Sequence, residues 1–183
     1  MRLAVCITGA SGARYAYRLL QALEGQAELV ISAAAEDVIR AETGRTPKDF
    51  RSLASAWYPN DDFHAPIASG SAPLDAVVIV PCSMNTLSKV ALGLSDNLIT
   101  RAAAVALKEG RKLVLVPRET PLSAIHLEHM LTVARLGGTV LPAMPGFYHN
   151  PQTLDDLVDF VVARILDHLG VEHDLVRSWG SSR

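Results

Sequence analysis

The sequence predicts an α/β fold: a mostly parallel sheet with helices on both faces. Three observations carry this. Short apolar runs alternate along the chain with longer segments whose apolar residues recur at helical spacing. The run LDAVVIVP shows no in–out alternation, as expected for a strand covered on both faces. Several of these runs end abruptly on glycines, hydroxyls or charges, just before the next helical segment begins.

The elements follow in order. Residues 2–7, RLAVCI, read as the first buried strand. TGASGA then turns the chain into the helix ARYAYRLLQAL, where Tyr15, Leu19, Leu20 and Leu23 fall near one face. AELVIS, 27–32, is the second strand. AAAEDVIRAETG is the next helix, and Gly44 suits its end because glycine accepts the left-handed conformation there. LDAVVIVP, 74–81, is the third strand, followed by helical MNTLSKVALG and NLITRAAAVALKEG. KLVLVP is the fourth strand. PLSAIHLEHMLTVARLGG is a helix with proline near its start and glycine at its end. TVLPA is a fifth strand, and QTLDDLVDFVVARILDHLG is a long amphipathic helix. Residues 45–73, with Trp57, Tyr58, prolines and ASGSAP, read as partly loop. This alternation is that of a three-layer, Rossmann-like domain. With no linker or low-complexity segment, 1–183 reads as a single domain with a C-terminal tail from about 171.

Composition excludes several classes. The 183 residues are 49% hydrophobic and 20% charged, with a formal net charge of -2. There is no basic excess to draw in nucleic acid, and no apolar run of membrane-span length. The N-terminal apolar segment runs straight into a glycine-rich turn, unlike a signal peptide. Two cysteines, Cys6 and Cys82, are too few for a disulfide framework or a four-cysteine metal site. These features point to the cytoplasm.

Open parallel sheets bind ligands beyond the carboxyl ends of their strands. Here the strand ends give Thr8-Gly9-Ala10-Ser11-Gly12, then Ser32, then Ser83-Met84-Asn85-Thr86, then Arg118-Glu119, then PAMPGFYHNP. Each alone is a turn or a helix cap; together they predict a polar pocket along one rim. In TGASG, small residues let backbone N–H groups approach an anion at the positive end of the following helix. The pattern is not GxGxxG, and the second strand ends on Ser32 and not on an acid. A mononucleotide therefore fits better than a dinucleotide. Ser83 to Thr86 adds a second set of donors at the next helix start.

TGASGARYAYRLL, ASGS at 68–71, PCSMNTLSKVALGLSDNLITRAA, ALKEGRKLVLVPRETPLSAIHLEHM and PGFYHNPQTLDDLVDFVVARILDHLG closely resemble the UbiX-type flavin prenyltransferases. That family sits in a wider flavoprotein group that includes phosphopantothenoylcysteine decarboxylases. The resemblance implies an enzyme that joins the dimethylallyl group of dimethylallyl monophosphate to reduced FMN at N5 and C6, closing a fourth ring. FMN is then a substrate held like a cofactor, and no metal is required. The product, prenylated FMN, would serve a UbiD-type decarboxylase in ubiquinone biosynthesis or aromatic acid breakdown. The resemblance also implies a homododecamer with sites where subunits meet.

Residue by residue, the resemblance makes Gly9, Ala10 and Ser11 the phosphate turn for FMN, with Ser32 beside it. Ser83, Met84, Asn85 and Thr86 would line the flavin, and Arg118 would lie against the isoalloxazine. Arg101, Lys108, Tyr148 and Arg164 would meet the prenyl phosphate, and Glu42 and Glu119 are the carboxylates near the reacting centre. Trp179 would help close the site. Arg, Lys and a tyrosine hydroxyl are the right types to stabilise a departing phosphate. Lys108 or Glu119 could donate a proton to it, or Glu119 could take the C6 proton. Other readings stand beside these. Arg101 and Lys108, seven apart on one helix, also suit a solvated face. Arg164, amid apolar residues in VVARIL, needs a partner: the phosphate, Asp159 or Glu119. Cys82 reads as a small buried residue, and His64, His126 and His129 receive no role. Two other functions remain: an FMN-dependent oxidative decarboxylase of a cysteine-containing substrate, and a non-catalytic flavin carrier.

Overall fold

The computed structural model describes residues 1–176 of the chain. The strands are β1 Leu3–Ile7, β2 Ala27–Ile31, β3 Ala56–Pro59, β4 Ala76–Cys82, β5 Lys112–Pro117 and β6 Thr139–Val140. The helices are α1 Ala13–Ala22, α2 Ala33–Thr43, α3 Pro47–Arg51, α4 Met84–Ala91, α5 Leu98–Lys108, α6 Ala124–Arg135 and α7 Leu154–Leu169. The six strands lie in the order β3-β2-β1-β4-β5-β6, and every pairing is parallel.

Parallel strands need crossovers, and the crossover helices cover both faces. Leu3, Val5 and Ile7 of β1 pack with Leu19 and Leu20 of α1, Ile39 of α2 and Ile165 of α7. The intervening Ala4 and Cys6 pack on the opposite face with Leu87 of α4, Ala102 of α5 and Val133 of α6. This is the period of two expected of a strand, with both sets buried. Among the described residues no helix is long and apolar enough to cross a membrane.

The stretch 45–73 holds more structure than its sequence suggested: α3, β3 and a 3₁₀ turn at Pro66–Ala68. β3 is the sheet's edge strand, so it carries only four residues and half-buried positions alternate with exposed ones. A short edge strand gives little periodic signal. It is held from the side: Tyr58 donates its hydroxyl to buried Glu28 at 2.8 Å, Arg2 pairs with the same carboxylate, and Arg51 stacks 4.0 Å above the Trp57 ring.

Two boundaries also shift. α6 starts at Ala124 and not near Pro121, because Ser123 caps it by accepting the His126 N–H while His126 Nδ1 accepts the Ser123 N–H. β6 is two residues long, although Leu141 N–H to Leu115 O (2.8 Å) and Ala143 N–H to Pro117 O (2.9 Å) carry its pairing onward.

Candidate active site

The carboxyl ends of β1 and β4 are locked together by Thr8. Its buried hydroxyl donates to Pro81 O at 2.8 Å and accepts the Ser83 N–H at 2.8 Å. That one side chain sets the TGASG turn beside the start of α4. The turn also leans on α2: a Cβ on Gly9 would come within 2.7 Å of Ala34 Cβ, so only glycine fits. The backbone N–H groups of Gly9, Ala10 and Ser11 make no hydrogen bond among the described residues. Consecutive free donors before a helix start form a cradle for an anion. Ser32, at the neighbouring strand end, caps α2 by accepting the Ala35 N–H at 3.3 Å. The donor set suits the phosphate of FMN.

At the end of β4, Ser83 accepts the Thr86 N–H and donates its hydroxyl to Thr86 Oγ1 at 3.0 Å. Asn85 is exposed and its amide has no partner among the described residues. Met84 turns into the core with Leu87 and Val90, so at the rim it can offer only its backbone. Arg118, directly after β5, donates Nε to Ser11 O at 3.4 Å, which brings a planar cation over the turn. Glu119 follows and accepts the Thr120 N–H at 3.2 Å.

Glu42 reaches the same place. Its carboxylate accepts the N–H groups of Gly12 (2.9 Å) and Ala13 (2.8 Å), the first donors of α1. A negative group at a helix N-terminus is favoured by the exposed N–H dipoles. Gly12, at φ 125°, supplies a turn that other residues resist. Beside it lies a cavity of about 360 Å³ walled by Ser11, Gly12, Tyr15, Glu42, Pro145 and Leu157. Tyr15 read from sequence only as a helix-face residue. Burial pushes its hydroxyl pKa up, Glu42's charge adds to this and Arg118 opposes it, so Tyr15 stands between both charges. Its place in the first turn after TGASG was the available signal.

The residues expected to meet the prenyl phosphate lie elsewhere. Arg101 donates Nε to Ala68 O at 2.9 Å, and Lys108 pairs with Glu109 beside Gly70. Both therefore lie along one side of α5, against the ASG segment. Tyr148 and Arg164 are on the opposite face of the sheet. The Tyr148 ring sits 5.7 Å from Phe160, and Arg164 is one turn further along α7. Arg164 is not buried as its apolar neighbours suggested. It occupies the outward stripe of α7 and pairs with Asp167 at 2.6 Å, while Asp159 is taken by Arg18 at 2.6 Å. Lys108 ends α5 before β5 begins at Lys112 and Arg118 follows β5's last residue, so the two stand at opposite ends of a strand about 20 Å long at ~3.3 Å per residue. One copy of the chain thus gathers Gly9 to Ser11, Ser32, Glu42, Ser83 to Thr86, Arg118 and Glu119 at one rim, and leaves the cations on two faces. Trp179 lies outside the described residues.

Residues given no site role from the sequence have structural places in this fold. Cys6 and Cys82 are wholly buried, burial pushes the Cys6 thiol up to about 12, and burial raises the Cys82 thiol likewise. His129 contacts Ser88 Oγ at 2.8 Å and ties α6 to α4.

A family model described as Flavoprotein matches residues 1–166. A flavin prenyltransferase UbiX of Methanocaldococcus jannaschii is 50% identical over 183 residues, covering 99% of this chain and 100% of that protein. A dodecameric FMN-dependent UbiX-like decarboxylase from Escherichia coli O157:H7 superimposes with a TM-score of 0.96 at 48% identity, covering 99% of this chain and 100% of that one. The crystal structure of AnUbiX in complex with FMN and dimethylallyl pyrophosphate gives a TM-score of 0.96 at 42% identity, covering 100% of this chain and 98% of that one. The chain belongs to the flavoprotein family and, within it, to the UbiX-type flavin prenyltransferases.

Proposed function

We propose that the protein transfers the dimethylallyl group of dimethylallyl monophosphate to reduced FMN, forming bonds at N5 and C6. The observation that carries this reading is the convergence of an anion cradle, a planar arginine and two carboxylates at one rim. Reduced FMN, when bound, supplies the nucleophilic positions; every other duty falls to the chain. Gly9, Ala10 and Ser11 hold the FMN phosphate with Ser32, and Ser83 to Thr86 supply donors to the ring. Arg118 orients the ring. Glu119, next to it on the same strand end, handles the proton, either giving it to the departing phosphate or taking it from C6. Glu42 is anchored at the start of α1 and presents its charge to the reacting centre.

The departing phosphate needs cations and a hydroxyl donor as the allylic C–O bond breaks and its electron pair leaves with oxygen. Arg101, Lys108, Tyr148 and Arg164 are the right types, but within one copy they stand on opposite faces of the sheet. Assembly resolves this. A relative at 48% identity is dodecameric, and an assembly of that kind lets neighbours bring their cations to each rim. The prenylated flavin would then pass to a UbiD-type decarboxylase, in the cytoplasm.

The test is anaerobic. The purified protein is mixed with reduced FMN and dimethylallyl monophosphate, and the released flavin is analysed by mass. A flavin heavier by one five-carbon unit is the expected product. Unchanged flavin, with FMN binding confirmed and the diphosphate donor also tried, overturns the reading in favour of a flavin decarboxylase or carrier.

A further inference from the structure

The last turn of α7 carries an arrangement that the sequence did not reveal. Asp167 shares its two carboxylate oxygens between two partners. Oδ2 accepts from Arg164 at 2.6 Å, and Oδ1 faces His173 Nε2 at 3.1 Å. Facing a carboxylate, Nε2 is the nitrogen that carries the proton. His173 lies six residues beyond Asp167, and Gly170, at φ 80°, ends the helix and turns the chain between them. Gly170 and Val171 both return their N–H groups to Leu166 O, and Val171 and Leu175 then pack on the core. The segment thus runs back along α7 and lays the imidazole against Asp167, with 12% of the His173 side chain exposed against 52% for Arg164.

We propose that Asp167 is a positioning residue for Arg164 and that His173 locks Asp167 in place. This rests on the reading of Arg164 as a prenyl-phosphate arginine. An exposed pair three residues apart on a helix is weakly fixed, because two flexible side chains must be ordered at once. The largely covered imidazole removes that freedom from the carboxylate. With Oδ1 held, Oδ2 faces Arg164 in one orientation and engages a single nitrogen, NH1. The other N–H groups of the guanidinium have no partner among the described residues, and a fork of free donors is what a phosphate accepts bidentately. The segment leading to the C-terminus is thereby tied to the phosphate-binding arginine.

Steady-state kinetics of the full-length protein with reduced FMN and dimethylallyl monophosphate test this. Asp167→Ala and His173→Ala are each expected to raise the donor KM about five- to tenfold, with kcat and FMN affinity within about twofold. His173→Gln, whose amide N–H reaches the same oxygen, is expected to restore the donor KM. The Asp167→Ala/His173→Ala double variant is expected to match Asp167→Ala alone, because both act through one carboxylate. Added to Arg164→Ala, neither change should raise KM further. A donor KM that stays at the wild-type value in Asp167→Ala, while Arg164→Ala raises it, overturns the positioning role alone. A donor KM unchanged in Arg164→Ala itself removes the reading on which the role depends. A fall in thermal stability or FMN affinity with unchanged KM would make the pair a prop for the helix end only.

Discussion

The rim of the sheet and the cationic helix faces are built on different terms. The rim is complete within one copy. Thr8 locks two strand ends, Gly9 seats the turn on α2, Glu42 binds the start of α1, and Arg118 touches Ser11. Its parts come from four strand ends and one helix, and each is fixed by hydrogen bonds or close packing. The cations are spread over two faces and each touches a local acceptor: Arg101 a backbone carbonyl, Lys108 Glu109, Arg164 Asp167. Under the proposed function, this difference assigns flavin recognition to the fold and recognition of the prenyl phosphate to the assembly.

The sharpest way to separate the two regions is to remove a cation. Arg164→Ala or Lys108→Ala should lower kcat/KM for prenyl transfer by about 100- to 1000-fold, as loss of a group that stabilises developing charge does. FMN affinity, which the proposal assigns to the rim, should stay within about twofold of wild type when followed by fluorescence titration. Parallel losses of both would erase the distinction. The reverse experiment is smaller in size. Gly9→Ala puts a methyl 2.7 Å from Ala34 Cβ, so the turn must move. FMN affinity should drop about tenfold and stability by about 1–3 kcal/mol, as overpacking typically costs. The smallest effect concerns what lies under the rim. Burial holds the Cys6 thiol up at about 12 and raises Cys82 as well, so both stay protonated at pH 8, well below the raised value. A thiol-reactive dye at pH 8 should leave the native protein unlabelled and label both cysteines after unfolding.

Much of this comparison could be read from the chain, and the unread part has physical causes. Long apolar strands such as β4 and β5 announce themselves because both faces are covered and every residue is apolar. The rim was legible for a related reason: hydroxyls and charges that break such a run stand out at once. β3 was not, since four residues on an edge, two of them exposed, give no run to break. Thr8 and Tyr15 were visible as residues, but their duties depend on which strands become neighbours, and that is fixed by long-range pairing. Arg164 misled for the opposite reason. Its neighbours in VVARIL are apolar because they face the core, while the helical period turns Arg164 itself outward to Asp167.

The central claim, that each site joins one copy's rim to another copy's cations, is tested most directly by subunit complementation. Glu119→Gln and Arg164→Ala chains, each nearly inactive alone, are co-expressed in equal amounts and the purified mixed assembly is assayed for prenylated flavin. If rim and cations come from different copies, about a quarter of the sites in a random mixture carry both wild-type residues, and activity should return to about that fraction of wild type. Activity no higher than that of the two variants measured separately would place Glu119 and Arg164 in the same copy's site and contradict the account.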